Sequence, residues 1–267
     1  PKTPKPLINE IIIIILKSMD IITFLKVLGI MKMIELVIRI VKTIARWQRT
    51  TSHLPERYGR GTWAVVTGGN SGIGFEICNE LARLGFNIII VSRSQERMEK
   101  ALKEIKLLHK LTKFLTIEFD FSKLTTIGDY ESKIMHHLND YDISLVVINA
   151  GVSNCGDFLD HPIEAHKEVF DTNLVPSLTL SKLFISRFLK ERAGKKSAII
   201  FTSSQNGLFP YPGHSTYGGT KAYQDFLSVA LAHEHKDSID VLSYNCGLVA
   251  TKMVGNLKQD WKCIHPK

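Results

Sequence analysis

The sequence predicts an α/β fold, in which a doubly wound parallel sheet follows an N-terminal amphipathic or membrane-associated helix. Three observations predict it. From residue 61 onward, short apolar and β-branched runs alternate with stretches of helical period. A glycine-rich turn joins the first of these runs to the first helical stretch. Finally, 267 residues at 44% hydrophobic composition suffice for one large buried core plus an appendage. The expected division is a membrane-associating helical segment at 1–55 and a nucleotide-binding domain at 56–267.

The appendage comes first. In residues 7–47, LINEIIIIILKSMDIITFLKVLGIMKMIELVIRIVKTIARW, charges interrupt the apolar run too often for a simple span of about 20 uncharged residues. At 100° per residue, nine of the ten charged residues from Glu10 to Arg49 fall in one arc about 120° wide, and only Lys26 lies outside it. Basic residues outnumber acidic ones on that arc, and Ile, Leu, Val, Met and Phe fill the rest. The expectation is therefore a helix lying in a lipid interface near anionic headgroups. A helix packed on the protein's own body, and a tilted span with snorkelling Lys17 and Lys32, are the alternatives. The formal charge of +8 belongs to this end: residues 1–60 carry 11 Lys/Arg against 4 Asp/Glu, and residues 61–267 carry 23 against 22. A nearly neutral body without a stripe of interleaved aromatic and basic residues argues against nucleic acid as a partner. Pro at position 1 points to a processed or trimmed chain.

The body then reads as repeated strand and helix. TWAVVTGG is a buried-type strand ending in glycines, and SGIGFEICNELARLG has helical spacing closed by Gly85. NIIIVSR is the second strand, followed by a charged helix from about Ser94 to Leu111. KFLTIEFD, ISLVVINAG and SAIIFTSS give three more strands and SIDVLSYNCG a sixth, with helical pattern between them. The stretch from Glu164 to Arg192 reads as one helical segment, with Asn173 and Pro176 marking a kink. In such a sheet ligands bind beyond the carboxyl ends of the strands, so chemistry is sought just after each one.

After the first strand comes TGGNSGIG, Thr67 to Gly74. Between a strand and a helix, such a turn lets backbone N–H groups approach a pyrophosphate at the positive end of the helix dipole. The cradle residues are Gly68, Asn70, Ser71, Gly72, Ile73 and Gly74. The second strand ends in Arg93, where an NAD-preferring site carries an acid for the ribose 2′-OH; a cation there suits a 2′-phosphate, so NADP(H) is the expected cofactor. Asp120, after the third strand, either accepts from an adenine amino group or caps a helix in DFSK. Asn149, Ala150 and Gly151 end the fourth strand, where the glycine allows a close approach to the cofactor.

These motifs carry a resemblance. T-G-x-x-x-G-x-G at 67–74, N-A-G at 149–151, Asn173, Ser204 and Y-x-x-x-K at 217–221, thirteen residues on from that serine, together resemble a classical short-chain dehydrogenase/reductase, which implies a Rossmann fold. RYGRGTWAVVTGG, GFNIIIVSRSQERME, YGGTKAYQDFLSVALAHEH and GLVATKM resemble more narrowly the very-long-chain 3-oxoacyl-CoA reductase and steroid 17-beta-dehydrogenase group. That resemblance implies reduction of a lipid-like ketone or acyl-CoA by NADPH, an endoplasmic reticulum membrane location with the catalytic domain facing the cytosol, and an N-terminal membrane segment. A homodimer is admitted, and a 3-ketosphinganine-type reductase or a catalytically weak nucleotide-binding scaffold are the rival readings.

In this reading Tyr217 donates a proton to the substrate oxygen, although a free phenol with a pKa near 10 gives it up reluctantly at neutral pH. Lys221, one helical turn on, places a cation nearby. At about 4 Å and an effective dielectric of about 20 that is worth about 4 kcal/mol, enough to bring the phenol towards working pH. Ser204 bonds the substrate oxygen, with Ser203 as its rival. The resemblance gives Lys221 and Thr251 contacts to the cofactor and Asn173 a place in a water-linked proton relay. The two glycines between Tyr217 and Lys221 each cost about 1 kcal/mol in a helix, and the expectation is that they clear space on the nicotinamide side.

The departures are few. Cys246 and Gly247 replace the family's Pro-Gly after the sixth strand, removing a rigid turn. Sixteen residues follow Thr251, too few for the family's substrate-covering helices and seventh strand, so the expectation is either a domain incomplete at its C-terminus or a substrate site that is open or completed by a partner. Cys78, Cys155, Cys246 and Cys263 show no C-x-x-C spacing, which fits a reducing compartment. The paired histidines give no zinc spacing, and no metal is expected.

Overall fold

The computed structural model describes residues 20–47, 53–123, 126–249, 251 and 263–264. The chain divides into two compact units, Pro1–Thr51 and Ser52–Lys267. In the first, α1 (Ile21–Trp47) is a 27-residue helix. Asp20 starts it, accepting from the Thr23 N–H at 2.9 Å and the Thr23 hydroxyl at 2.8 Å. On the polar arc Glu35 pairs with Lys32 at 3.0 Å and with Arg39 at 2.5 Å. Among the described residues no helix is long and apolar enough to cross a membrane. Glu10, Lys17 and Arg49 of the predicted arc lie outside the described residues.

The second unit opens with α2 (Leu54–Tyr58) and continues β1 (Trp63–Thr67), α3 (Gly72–Arg83), β2 (Asn87–Ser92), α4 (Gln95–Leu108), β3 (Phe114–Glu118), α5 (Ile127–Lys133), β4 (Ile143–Ile148), α6 (Ile163–Asn173), α7 (Val175–Glu191), β5 (Ser197–Ser204), α8 (Ser215–Glu234) and β6 (Ile239–Cys246). These six strands form one parallel sheet in the order β3-β2-β1-β4-β5-β6, so the strand order reverses between β1 and β4, and Leu248–Val249 pairs with Cys263–Ile264 in a separate two-stranded sheet. That reversal opens a crevice at the carboxyl ends.

Strand alternation builds two cores. Val65, Ile89, Val91, Val146, Ile148, Ile199 and Phe201 face one way and pack with Tyr130, Ile134, Leu180, Phe184 and Phe188 from α5 and α7. Ala64, Val66, Ile88, Ile90, Leu145 and Val147 face the other way, against Cys78, Leu81, Met98, Leu102 and Ile105 from α3 and α4. A parallel sheet covered on both faces needs this near-continuous apolar sequence.

Helix ends follow local chemistry. Ser94 caps α4, its hydroxyl accepting from Arg97 N–H, and Thr126 and Asp129 form a capping box on α5. The predicted kinked helix over 164–192 is instead two helices: α6 ends at Asn173, Leu174 links them, and Pro176 lies in the first turn of α7, where it loses no helical bond. At the amino end of β6, the end of the sheet away from the crevice, Arg57 donates to both Asp240 oxygens at 2.6 and 2.8 Å, and the Tyr58 hydroxyl donates to the same carboxylate at 2.8 Å. Buried Arg192 donates to the Tyr58 carbonyl at 2.6 Å and pairs with Asp142.

Candidate active site

Beyond β1 the chain turns through Gly68 to Ser71 into α3. The Thr67 hydroxyl accepts from the N–H groups of Asn149 at 2.8 Å and Ala150 at 2.9 Å, while Asn149 Nδ2 donates to the Thr67 carbonyl at 3.0 Å. The glycine loop is thereby tied to the end of β4, across the strand reversal. A Cβ at Gly74 would stand 2.4 Å from the Gly68 carbonyl oxygen and 2.5 Å from Asn149 Nδ2, so only glycine fits. The first N–H groups of α3 have no intrahelical partner, and Ser71 before them makes no side-chain cap bond. A backbone-lined turn at a helix N-terminus fits a pyrophosphate. Thr251 lies against this loop, its Cγ2 3.1 Å from where a Cβ on Gly72 would be.

Arg93 is exposed immediately past β2. Burial pushes the Asp120 carboxyl up, but two bonds from Ser122, at 3.1 and 2.7 Å, and the charges of Arg93 and Lys123 outweigh it and hold the group low. Those Ser122 bonds make an Asx-type turn rather than the helix cap considered from DFSK. The next described helix, α5, is capped by Thr126.

Ser203 and Ser204 end β5 and point to opposite sides. The Ser204 side chain neighbours the Tyr217 phenol and accepts from Asn206 N–H at 3.2 Å. Ser203 donates instead to the Lys221 carbonyl at 3.2 Å. Lys221, 4% exposed, directs its ammonium to the Thr202 carbonyl at 2.7 Å and Gln224 Oε1 at 3.0 Å, and lies 5.6 Å from the centroid of the Tyr217 ring. The expected lowering of the phenol is not found. Burial pushes Tyr217 up to about 12, with the neighbouring Ser204 hydroxyl partly offsetting it and Cys246 adding to it. Burial also pushes Lys221 down to about 8, against the opposing pull of Cys246 and Asp225.

Asn173 is buried and both ends of its amide are used. Its Oδ1 accepts from Val152 N–H at 2.8 Å, and its Nδ2 donates to the Val152 carbonyl at 2.9 Å and to Thr220 Oγ1 at 3.1 Å. It pins the backbone following Gly151. Gln224 donates to the Asn173 carbonyl at 3.1 Å and to Ser177 Oγ at 2.7 Å, linking Lys221 to α6 and α7. Sequence reasoning missed Gln224, Thr67 and Thr220. Gln224 was findable, being three residues on from Lys221 on one helix face; Thr67 opens the glycine motif.

The glycine pair of α8 splits. A Cβ on Gly218 would lie 2.8 Å from the Asn206 carbonyl oxygen, whereas one on Gly219 would meet nothing within 4 Å. Close packing of the helix on the 205–207 turn, rather than clearance on a nicotinamide, explains Gly218; nothing in the structure explains Gly219.

The family model of short chain dehydrogenase matches residues 62–262. The very-long-chain 3-oxoacyl-CoA reductase of Schizosaccharomyces pombe is 34% identical over 201 residues, covering 73% of this chain and 58% of that protein. Very-long-chain 3-oxoacyl-CoA reductase-A of Danio rerio is 35% identical over 199 residues, covering 72% and 60%. This chain thus spans about three-fifths of the length of these relatives. Among solved structures, a bulky-bulky ketone specific alcohol dehydrogenase from Comamonas testosteroni superposes with a TM-score of 0.65 at 26% identity, covering 74% of this chain and 76% of that one. With the glycine loop at the strand reversal and Ser204, Tyr217 and Lys221 gathered at the ends of β5 and α8, the match across 62–262 settles the family: this chain is a short-chain dehydrogenase.

Proposed function

We propose that this chain is the nucleotide-binding and catalytic part of an NADPH-dependent reductase of a lipid-type ketone, a 3-oxoacyl-CoA or a keto-steroid, working at the endoplasmic reticulum membrane. One observation carries the reading: the Ser204 hydroxyl neighbours the Tyr217 phenol at the end of β5, and buried Lys221, one helical turn on, holds its ammonium 5.6 Å from the centroid of the Tyr217 ring. The relatives named very-long-chain 3-oxoacyl-CoA reductase support the substrate class. So do the exposed Phe158, Leu159, Leu208 and Phe209, which follow β4 and β5 in the loops flanking Tyr217.

The cofactor, when bound, supplies a hydride to the carbonyl carbon. Gly68 to Gly74 would hold its pyrophosphate on backbone N–H groups, with Asn149 to Gly151 beside them, and exposed Arg93 would suit a 2′-phosphate. Asp120 keeps one carboxylate oxygen clear of Ser122 for an adenine amino group. Ser204 donates to the substrate oxygen and Tyr217 passes it the phenolic proton. A phenol pushed up by burial stays protonated at neutral pH, as an acid must, and the cation of Lys221, 5.6 Å from the centroid of the Tyr217 ring, stabilises the phenolate left behind. Asn173 acts by fixing the Val152 backbone.

The test follows absorbance at 340 nm with NADPH and a long-chain 3-oxoacyl-CoA, with 3-ketosphinganine and NADH in parallel. Tyr217→Phe is expected to lose at least about 100-fold in kcat with NADPH binding retained. Binding of NADPH with no ketone reduced would favour the scaffold reading, and faster turnover of 3-ketosphinganine would move the substrate assignment to it.

A further inference from the structure

His166 lies in α6, 7% exposed, with both ring nitrogens engaged. Nε2 is 3.0 Å from the Phe158 carbonyl oxygen, and because a carbonyl only accepts, Nε2 carries a proton. In the neutral ring Nδ1 is then an acceptor, and it lies 2.7 Å from Thr216 Oγ1 and 3.1 Å from Asn154 Nδ2, both of which can donate. Three segments therefore meet on one ring: α6, the loop after β4, and the first turn of α8. The Phe158 ring leans on the imidazole at a centroid distance of 4.5 Å, with the His161 ring perpendicular at 5.9 Å. Nearby, the Gly156 N–H donates to the Gly213 carbonyl at 3.1 Å, tying the loop after β4 to the residues that precede α8. Thr216, buried, is the residue before Tyr217.

We infer that His166, as its neutral Nε2–H tautomer, is a positioning residue for Tyr217: through Nδ1 it fixes the Thr216 hydroxyl and holds the first turn of α8 against the 154–158 loop. The inference rests on the reading of Tyr217 as the proton donor. His166 itself bonds neither Ser204, Tyr217 nor Lys221. Its effect is geometric, and proton transfer is steeply sensitive to the placement of the donor.

The test uses the full chain and two readouts: steady-state kinetics, and amide hydrogen exchange of 152–158 and 215–218 without substrate. His166→Phe keeps the flat ring and removes both nitrogens; it should lower kcat about tenfold or more, leave the KM for NADPH unchanged, and speed exchange in both segments. His166→Asn, which restores an acceptor where Nδ1 was, should recover most of the kcat. His166→Gln, which reaches only the outer position, should not. Thr216→Val should reproduce the loss and add little in the double variant. Parent-like kcat and exchange in His166→Phe, or equal rescue by Gln and Asn, would overturn the inference. If the parent chain reduces no ketone, the functional reading fails by itself and exchange decides: joint loss of protection supports the link through His166, and unchanged protection overturns it. If His166→Phe does not fold, Thr216→Ser, which retains the hydroxyl, must exceed Thr216→Val in kcat and in protection of both segments; equality overturns the inference.

Discussion

At the scale of the residue, Lys221 shows how burial inverts an expectation drawn from spacing. Four residues of separation place an ammonium beside a phenol, but the Thr202 carbonyl of β5 and Gln224, three residues on in the same helix, claim its hydrogen bonds. Burial lowers Lys221 from 10.5 to about 8, so between those pH values the unfolded chain binds a proton that the native protein does not. Stability from this group therefore rises with pH across that window. Tyr217, raised from 10.0 to about 12, acts in the opposite sense above pH 10, where the native protein keeps a proton the unfolded chain has lost. Denaturant unfolding of the parent and of Lys221→Met should show the parent gaining about 2 kcal/mol relative to the variant between pH 8 and pH 10. A pH-independent difference would mean that Lys221 is not desolvated as its burial implies. The residue identities of the site were legible, because Tyr, Lys, Ser and the glycines keep fixed spacings. Their energetics were not, because the largest cause is burial, which the spacing of the motif does not reveal.

At the scale of the element, strands and glycine turns read clearly, since each is specified by a run of a few residues. Six parallel strands appear where the apolar runs fall, and Gly85 follows α3 with its N–H bonded to the Ala82 carbonyl at 3.0 Å. The break between α6 and α7 was harder to see. Helical period continues through it, and it is the Val152 backbone, reached across the crevice, that engages Asn173 at the helix end. The two glycines of α8 make the same point in reverse. Gly218→Ala would press a methyl on the Asn206 carbonyl and so disturb the turn that also bonds Ser204; a loss of about 1–3 kcal/mol is expected. Gly219→Ala faces open space and should gain up to about 1 kcal/mol from helix propensity. Thermal unfolding of the two variants reads the order directly, and a Gly219→Ala protein less stable than Gly218→Ala would refute it.

At the scale of the whole molecule, the charge count separates a basic N-terminal part from a neutral body, and the chain divides into two compact units, Pro1–Thr51 and Ser52–Lys267. The short helix α2 from Leu54 thus belongs to the second unit, a few residues before the boundary expected from composition. If the first unit is what holds the protein at a lipid surface, deleting residues 1–51 should abolish co-sedimentation with anionic phospholipid vesicles while NADPH still binds. Persistent co-sedimentation would assign the membrane contact to the second unit.

The start of the second unit has a mechanical consequence. Arg57 and Tyr58 grip Asp240 at the start of β6, and Arg192 holds the Tyr58 carbonyl from behind. Any pull transmitted along the polypeptide from upstream of Leu54 is therefore shared with the far strand of the sheet before it can reach β1. Tension spreads through the rear of the molecule, and the glycine cradle at the front is spared the load.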